Sequence, residues 1–99
     1  MELITERDRI YAENEAGGLI AEVTFPEKDG VQVIDHTFVD PSLRGQGAAA
    51  QLVQAAAEQI LKNGNRIGAT CSYAVLWLRQ HPEYEWLGGG QQAAGKEQA

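Results

Sequence analysis

Hydrophobic and polar positions alternate with period two through the first forty residues and then recur with the period of a helix. Three runs carry the alternation: "RIYAENE" at 9–15, "LIAEVTFPEK" at 19–28 and "VQVIDHTFV" at 31–39. Ala16-Gly17-Gly18 and Lys28-Asp29-Gly30 separate them, so neighbouring runs read as hairpins. "LITER" at 3–7 adds an edge strand before the Asp8 turn, which gives a four-stranded antiparallel meander. In its last strand, strict alternation sends Ile34, His36 and Phe38 to one face and Val33, Asp35, Thr37 and Val39 to the other.

Ala49, Leu52, Val53, Ala56, Ala57, Ile60 and Leu61 then follow i, i+3, i+4 spacing, with Gln51, Gln54, Glu58, Gln59 and Lys62 on the opposite side. The spacing predicts an amphipathic helix over 45–63 that lies on the sheet, ended by Gly64 as a left-handed cap. "RIGATCSY" at 66–73 reads as a fifth strand, reached by a crossover and parallel to the fourth. Ser72 can cap a short helix over 73–80, Pro82 prevents its continuation, and Tyr84, Trp86 and Leu87 supply packing groups. The fold class is therefore α+β, an α/β sandwich, with one domain over 1–87 and a disordered tail expected over 88–99.

Composition narrows the function. Ninety-nine residues with 43% hydrophobic content build one core. A formal charge of −6 gives no broad basic face for nucleic acid and favours a cationic partner such as an amine. No apolar run could span a membrane, and the charged start "MELITERDRI" is unlike a secretory signal, so a soluble, cytoplasmic protein is expected, as a monomer or weak homodimer. Cys71 is the single cysteine; with His36 and His81 it supplies too few ligands for a structural metal site.

Against this acidic background stands "VDPSLRGQGAAAQLV" at 39–53, where a strand hands over to the helix. A helix start offers backbone N–H groups without partners and about half a positive charge, so it is a seat for phosphate. Gly45 and Gly47 remove the Cβ atoms that would keep a diphosphate away, and Arg44 adds a full charge in a fork geometry. Gly45-x-Gly47-x-x-Ala50 fits the dinucleotide fingerprint only superficially, because residues 40–44 separate it from its strand and position 65 is Asn rather than acidic. No Gly-Lys-Ser/Thr follows, which excludes a P-loop.

Arg44-Gly45-Gln46-Gly47-Ala48-Ala49, following a strand and opening a long helix, resembles the cofactor motif of the GNAT superfamily of N-acetyltransferases. With "CSYAV" and "HPEYEWL", the longer stretch "DHTFVDPSLRGQG" is similar to small GNAT-like acetyltransferases of the YjdJ type, over residues 4–87. The resemblance implies a minimal GNAT fold that binds acetyl-coenzyme A as cosubstrate, without a metal. Backbone groups of Arg44, Gly45, Gln46, Gly47, Ala48 and Ala49 would hold its pyrophosphate. The end of the fourth strand, including Phe38 and Val39, would pair with its pantetheine arm, between strands four and five where they splay. Longer relatives carry one or two helices between their first strands, on the acceptor side; only turns stand there in this sequence.

The same resemblance places His36 and Cys71 in the active site. An imidazole, with an ordinary pKa of about 6.5, is a suitable base for an attacking amine. Cys71 could accept the acetyl group as a thiolate, protonate the departing sulfur, or simply pack as a small apolar residue. Tyr73 is a weaker candidate for the acid, and Asp35 reads as structural on the face opposite His36. Two functions follow: acetyl transfer to a primary amine of a small molecule or protein, or a non-catalytic coenzyme A binding module.

Overall fold

The long hairpin expected from the sequence forms, but each of its arms breaks once, and the breaks divide it between two sheets. The computed structural model describes residues 1–87; the expected tail at 88–99 lies outside the described residues. In chain order the elements are β1 (Ile4–Thr5), β2 (Arg9–Glu13), β3 (Leu19–Thr24), β4 (Glu27–Lys28), β5 (Val31–Ile34) and β6 (His36–Val39). A 3₁₀ turn (Pro41–Leu43), α1 (Ala48–Lys62), β7 (Arg66–Ala69), α2 (Ser72–Arg79) and β8 (Trp86–Leu87) follow.

One sheet has the order β1-β2-β3-β6 with all pairs antiparallel; the other has the order β4-β5-β7-β8, in which β7 runs parallel to β5 and to β8. Asp29 and Gly30, both with positive φ, close the β4–β5 hairpin as the Asp-Gly signal requires. The first arm breaks at Phe25-Pro26, where proline lacks the N–H a continuous ladder would use. The second breaks at Asp35, whose N–H reaches the carbonyl of Thr24 at 3.2 Å while His36 is also the register partner of Thr24. Two residues facing one is a bulge, and a bulge shifts the phase of every side chain beyond it.

The uninterrupted alternation expected across 31–39 is therefore corrected. Ile34 is fully buried toward the helices, whereas the His36 side chain is 53% exposed. Asp35 does not oppose His36 either: its carboxylate accepts from the Thr24 hydroxyl at 2.6 Å, and Thr24 sits directly across from His36. Thr37 and Val39 take the half-buried positions instead.

α1 delivers Leu52, Val53, Ala56, Ala57 and Ile60 into a core shared with Ile10, Ala12, Ala21, Val23, Ile34 and Ile67. The small residues at 12, 21, 56 and 57 let helix and sheet approach closely. α2 adds Ala74, Trp77 and Leu78 to the same core, so both helices cover one face. The opposite face of the first sheet, with Arg9, Tyr11, Glu22, His36 and Phe38, carries neither helix. Gly64 (φ 82°) ends α1 as expected: its N–H donates to Leu61 at 3.0 Å and that of Asn65 to Ile60 at 3.1 Å, a Schellman closure. The N-cap of α2 is Cys71, one residue before the expected Ser72, because the N–H groups of Thr70 and Cys71 both turn onto the Ile34 carbonyl. β8 pairs with β7, which gives the Trp86-Leu87 end a strand role beyond packing.

Gln32 is the buried polar side chain of this core, and all of its bonding capacity is used. Its amide donates to the carbonyls of Arg7 (3.1 Å) and Phe25 (3.0 Å), and its oxygen accepts from the amides of Asn63 (2.8 Å) and Asn65 (2.9 Å). One side chain thus ties the β1–β2 turn and the β3 exit to the end of α1. Gln32→Leu takes this partner from the Phe25 carbonyl and the Asn65 amide, each costing about 1–3 kcal/mol where water cannot reach it, while the Asn63 amide and the Arg7 carbonyl still bond each other at 3.0 Å. With relaxation at the half-buried Asn65 we expect a loss of about 2–4 kcal/mol, roughly 10–20 °C in a calorimetric melt. An unchanged midpoint would show that the network is not holding the fold.

Candidate functional site

The site starts from the division of the second hairpin arm. β5 is paired with β7 as far as Ile34 and Ala69, while β6 leaves with β3 on the other sheet. Beyond Ile34 the two sheets part, and the N–H groups of Thr70 and Cys71 close the vertex on its carbonyl at 3.0 and 3.2 Å. β6 therefore lines one side of a V-shaped gap with an edge that no strand among the described residues covers. The register pairs Phe38 with Glu22, and the N–H of Asp40 donates to Ile20 two residues farther on. Antiparallel alternation then turns the backbone groups of Phe38 toward β3 and those of Thr37 and Val39 into the gap.

At the mouth of the gap the chain makes the 3₁₀ turn and the two-glycine turn. Asp40 caps the first: its Oδ2 accepts from the N–H of Ser42 at 3.0 Å, and this contact with Ser42 lowers its pKa. Gly45 (φ 82°) and Gly47 (φ 73°) both adopt left-handed backbone, and a Cβ at either would meet no protein atom within 4 Å. Their conformation, not crowding, selects glycine. The helical ladder opens with the Gln51 N–H donating to Gly47 at 3.1 Å, so the N–H groups of Ala48, Ala49 and Ala50 have no helical partner, whereas those expected of Arg44 and Gln46 are already engaged by the carbonyls of Pro41 (3.1 Å) and Leu43 (3.2 Å). A cleft of about 230 Å³ lies over this turn, with Arg44, Gly45, Gly47, Ala48 and Ala49 on one wall. Val39 reaches it from β6 and Tyr73 from α2. A larger hollow of about 370 Å³, bounded by Arg66 and Trp86, opens at the other end of β7, away from the vertex.

Cys71 stands at the vertex as the N-cap of α2, with its sulfur 3.5 Å from the Thr37 hydroxyl. Burial pushes the thiol up, but the Thr37 hydroxyl and the N–H groups of Ala74, Tyr73 and Thr37 outweigh it and hold the thiol below its usual range. Removing the hydroxyl reverses part of that balance. Thr37→Val should move the pH midpoint of iodoacetamide alkylation of Cys71 upward, since a thiolate with fewer donors forms at higher pH. A midpoint that stays in place would mean the hydroxyl does not serve the sulfur.

His36 flanks the vertex from the other face. Its Nε2 lies 3.5 Å from Glu22 Oε1, and the other carboxylate oxygen is held by Arg9 Nε at 2.6 Å. His36 and Cys71 thus approach the vertex from opposite faces, each with a different partner.

A splayed pair of sheets, with a glycine turn opening the helix at the mouth, is an arrangement shared with known proteins. The family model for GCN5-related N-acetyltransferases matches residues 9–87. The chain belongs to this family. Acetyl transfer is its general chemistry, with acetyl-coenzyme A as donor, and the chain is accordingly assigned as an acetyltransferase. A candidate GCN5-like N-acetyltransferase from Staphylococcus aureus, solved by NMR, is similar over nearly its whole length. Its identity is 27% and its TM-score 0.68, covering 93% of this chain and 95% of that one. A Bacillus cereus acetyltransferase is 27% identical with a TM-score of 0.54, over 67% of this chain and 45% of its own. An aminoglycoside acetyltransferase from an uncultured soil metagenomic sample, solved with sisomicin, shares the fold at 17% identity. Its TM-score is 0.54, over 86% of this chain and 64% of its own. No curated protein matches the sequence.

Within this GNAT domain the expected cofactor-binding residues fall into two groups. Val39, Arg44, Gly45, Gly47, Ala48 and Ala49 share the cleft. Gln46 and Phe38 do not: the Gln46 amide folds back onto the Ser42 carbonyl at 3.3 Å, and the Phe38 side chain lies on the open face. Asp40, Leu43 and Ala50 line the cleft without having been expected at the site, and Tyr73, expected only as a weaker candidate for the acid, lines it too. For Tyr73 the signal was available, since "CSYAV" sits where strand five ends against the turn. Glu22 and Thr37 were not legible as site residues, because only the bulge brings the first beside His36 and the second beside Cys71. Among the described residues no cluster of three His, Cys, Asp or Glu could hold a metal ion, and no helix is long and apolar enough to cross a membrane.

Proposed function

We propose that this GNAT domain transfers the acetyl group of acetyl-coenzyme A to a primary amine, with His36 as the base. The observation that carries the reading is the pairing of the glycine-turn cleft with an uncovered strand edge ending at His36 and Cys71. The cleft's N–H groups and Arg44 suit a pyrophosphate, and the backbone groups of Thr37 and Val39 suit an extended amide-bearing arm. That arm leads to the vertex.

The donor supplies a thioester; the rest falls to the chain's own side chains. His36, open to solvent on the uncovered face, takes the proton of the incoming nitrogen as the N–C bond forms and the C–S bond breaks. Cys71, beside Thr37 on the helix side, is placed to deliver a proton to the departing sulfur or to carry the acetyl group in a two-step route. The negative charge of the domain favours a cationic acceptor.

A second reading is a coenzyme A binding module. It is favoured by two observations: the cleft over the glycine turn includes neither His36 nor Cys71, and among the described residues no helix covers the face on which His36 lies. Calorimetric titration with acetyl-coenzyme A, followed by an amine panel read by mass spectrometry, tests both. Binding with an acetylated amine supports the enzyme, binding without transfer to any amine supports the module, and absence of binding overturns both.

A further inference from the structure

The first sheet's open face holds a chain of contacts that neither the fold nor coenzyme binding requires. Arg9, on β2, lies with its guanidinium 3.8 Å over the ring of Tyr11 and donates through Nε to Glu22 Oε2 at 2.6 Å. Glu22, on β3, is only 17% exposed and so is held from two sides: by this cation and by its place beneath its neighbours. Its second oxygen, Oε1, faces His36 Nε2 at 3.5 Å. The register makes this geometric: Tyr11 is opposite Glu22, Thr24 is opposite His36, and Glu22 and His36 are diagonal neighbours on adjacent strands. The other carboxylate near the imidazole, Asp35, is engaged by the Thr24 hydroxyl at 2.6 Å.

An ionised carboxylate only accepts hydrogen bonds, and a neutral imidazole has one N–H to give. A fixed carboxylate on the Nε2 side therefore favours the tautomer with its proton on Nε2. The lone pair is then on Nδ1.

We propose that Glu22, anchored by Arg9, is the positioning residue for His36: it turns Nε2–H inward and leaves Nδ1 as the atom that takes the proton of an incoming amine. The inference rests on the reading of His36 as the base. In the step it describes, the amine nitrogen forms its bond to the acyl carbon, the thiolate leaves, and the proton passes from nitrogen to Nδ1.

The test has two readouts. Ring ¹⁵N shifts of the full chain report the tautomer directly, and turnover with an amine found in the panel reports its use. Wild type should show His36 mainly as Nε2–H. Glu22→Gln should lose that preference and lower kcat about ten-fold, a fraction of the roughly 10²–10⁴-fold that a general base contributes, with KM for acetyl-coenzyme A unchanged. Arg9→Ala, which frees Glu22 without removing it, should fall between the two on both readouts. A wild-type Nδ1–H tautomer, or ring shifts that do not respond to either variant, would overturn the proposal. If the tautomer responds but wild type transfers acetyl to no amine, the assignment of His36 as base fails, and with it the role given to Nδ1, while the contact with Glu22 stands.

Discussion

Replacing Gly47 by valine should abolish calorimetric binding of acetyl-coenzyme A while the chain still folds. Gly47 sits at φ 73°, ψ 20° as the N-cap of α1, a left-handed position that a β-branched residue enters only with strain. Such an outlier costs about 1–3 kcal/mol. A melt lower by several degrees is expected, at about 4–8 °C per kcal/mol for a domain of this size. No protein atom lies within 4 Å of the added Cβ, so the fold itself meets no clash. The space the side chain enters is the cleft, and the N–H groups it crowds are those that precede the first helical hydrogen bond. Far-ultraviolet dichroism should therefore be native-like, with the heat of binding lost. A folded Gly47→Val that binds with unchanged affinity would remove the glycine turn from the site.

His36→Ala should act in the opposite way, keeping binding and losing turnover. The side chain is half exposed on the face away from the helices, so truncation opens no cavity, and the glycine cleft lies elsewhere. General-base catalysis contributes typically about 10²–10⁴-fold, so kcat should fall by at least about a hundred-fold, with the acetyl-coenzyme A affinity retained. A decrease of only a few-fold would transfer the base role to another group or leave direct attack by an amine that is already neutral.

The turns, the helix and its cap were readable because each rests on local chemistry. Asp29-Gly30 closes its hairpin, Gly64 closes α1, and the 3.6-residue spacing of Leu52, Val53, Ala56, Ala57 and Ile60 finds the core. α1 starts at Ala48, inside the expected 45–63, with the glycines as its cap and not its first turn. What was not readable depends on pairing. No letter of "VQVI" marks Gln32 as a core residue, yet it is buried while Val31 and Val33 are only half-buried, because four hydrogen bonds satisfy its amide there. Likewise nothing in "VIDHTFV" marks Asp35 as an extra residue. That bulge is set by Thr24 on another strand, and without it the faces assigned to His36 and Thr37 come out reversed.

The uncovered edge of β6 has a consequence for how this small protein survives. An exposed row of backbone donors and acceptors invites a foreign strand, which is how soluble chains begin to aggregate. Here the row faces the gap between the two sheets, which the N–H groups of Thr70 and Cys71 close at its vertex. A ligand lying there would act as a missing strand, adding stability by mass action, about 1.4 kcal/mol for each ten-fold excess over its Kd. The lifetime of the chain would then follow the supply of the molecule that fills the gap, so that protein abundance itself would track the availability of the acyl donor.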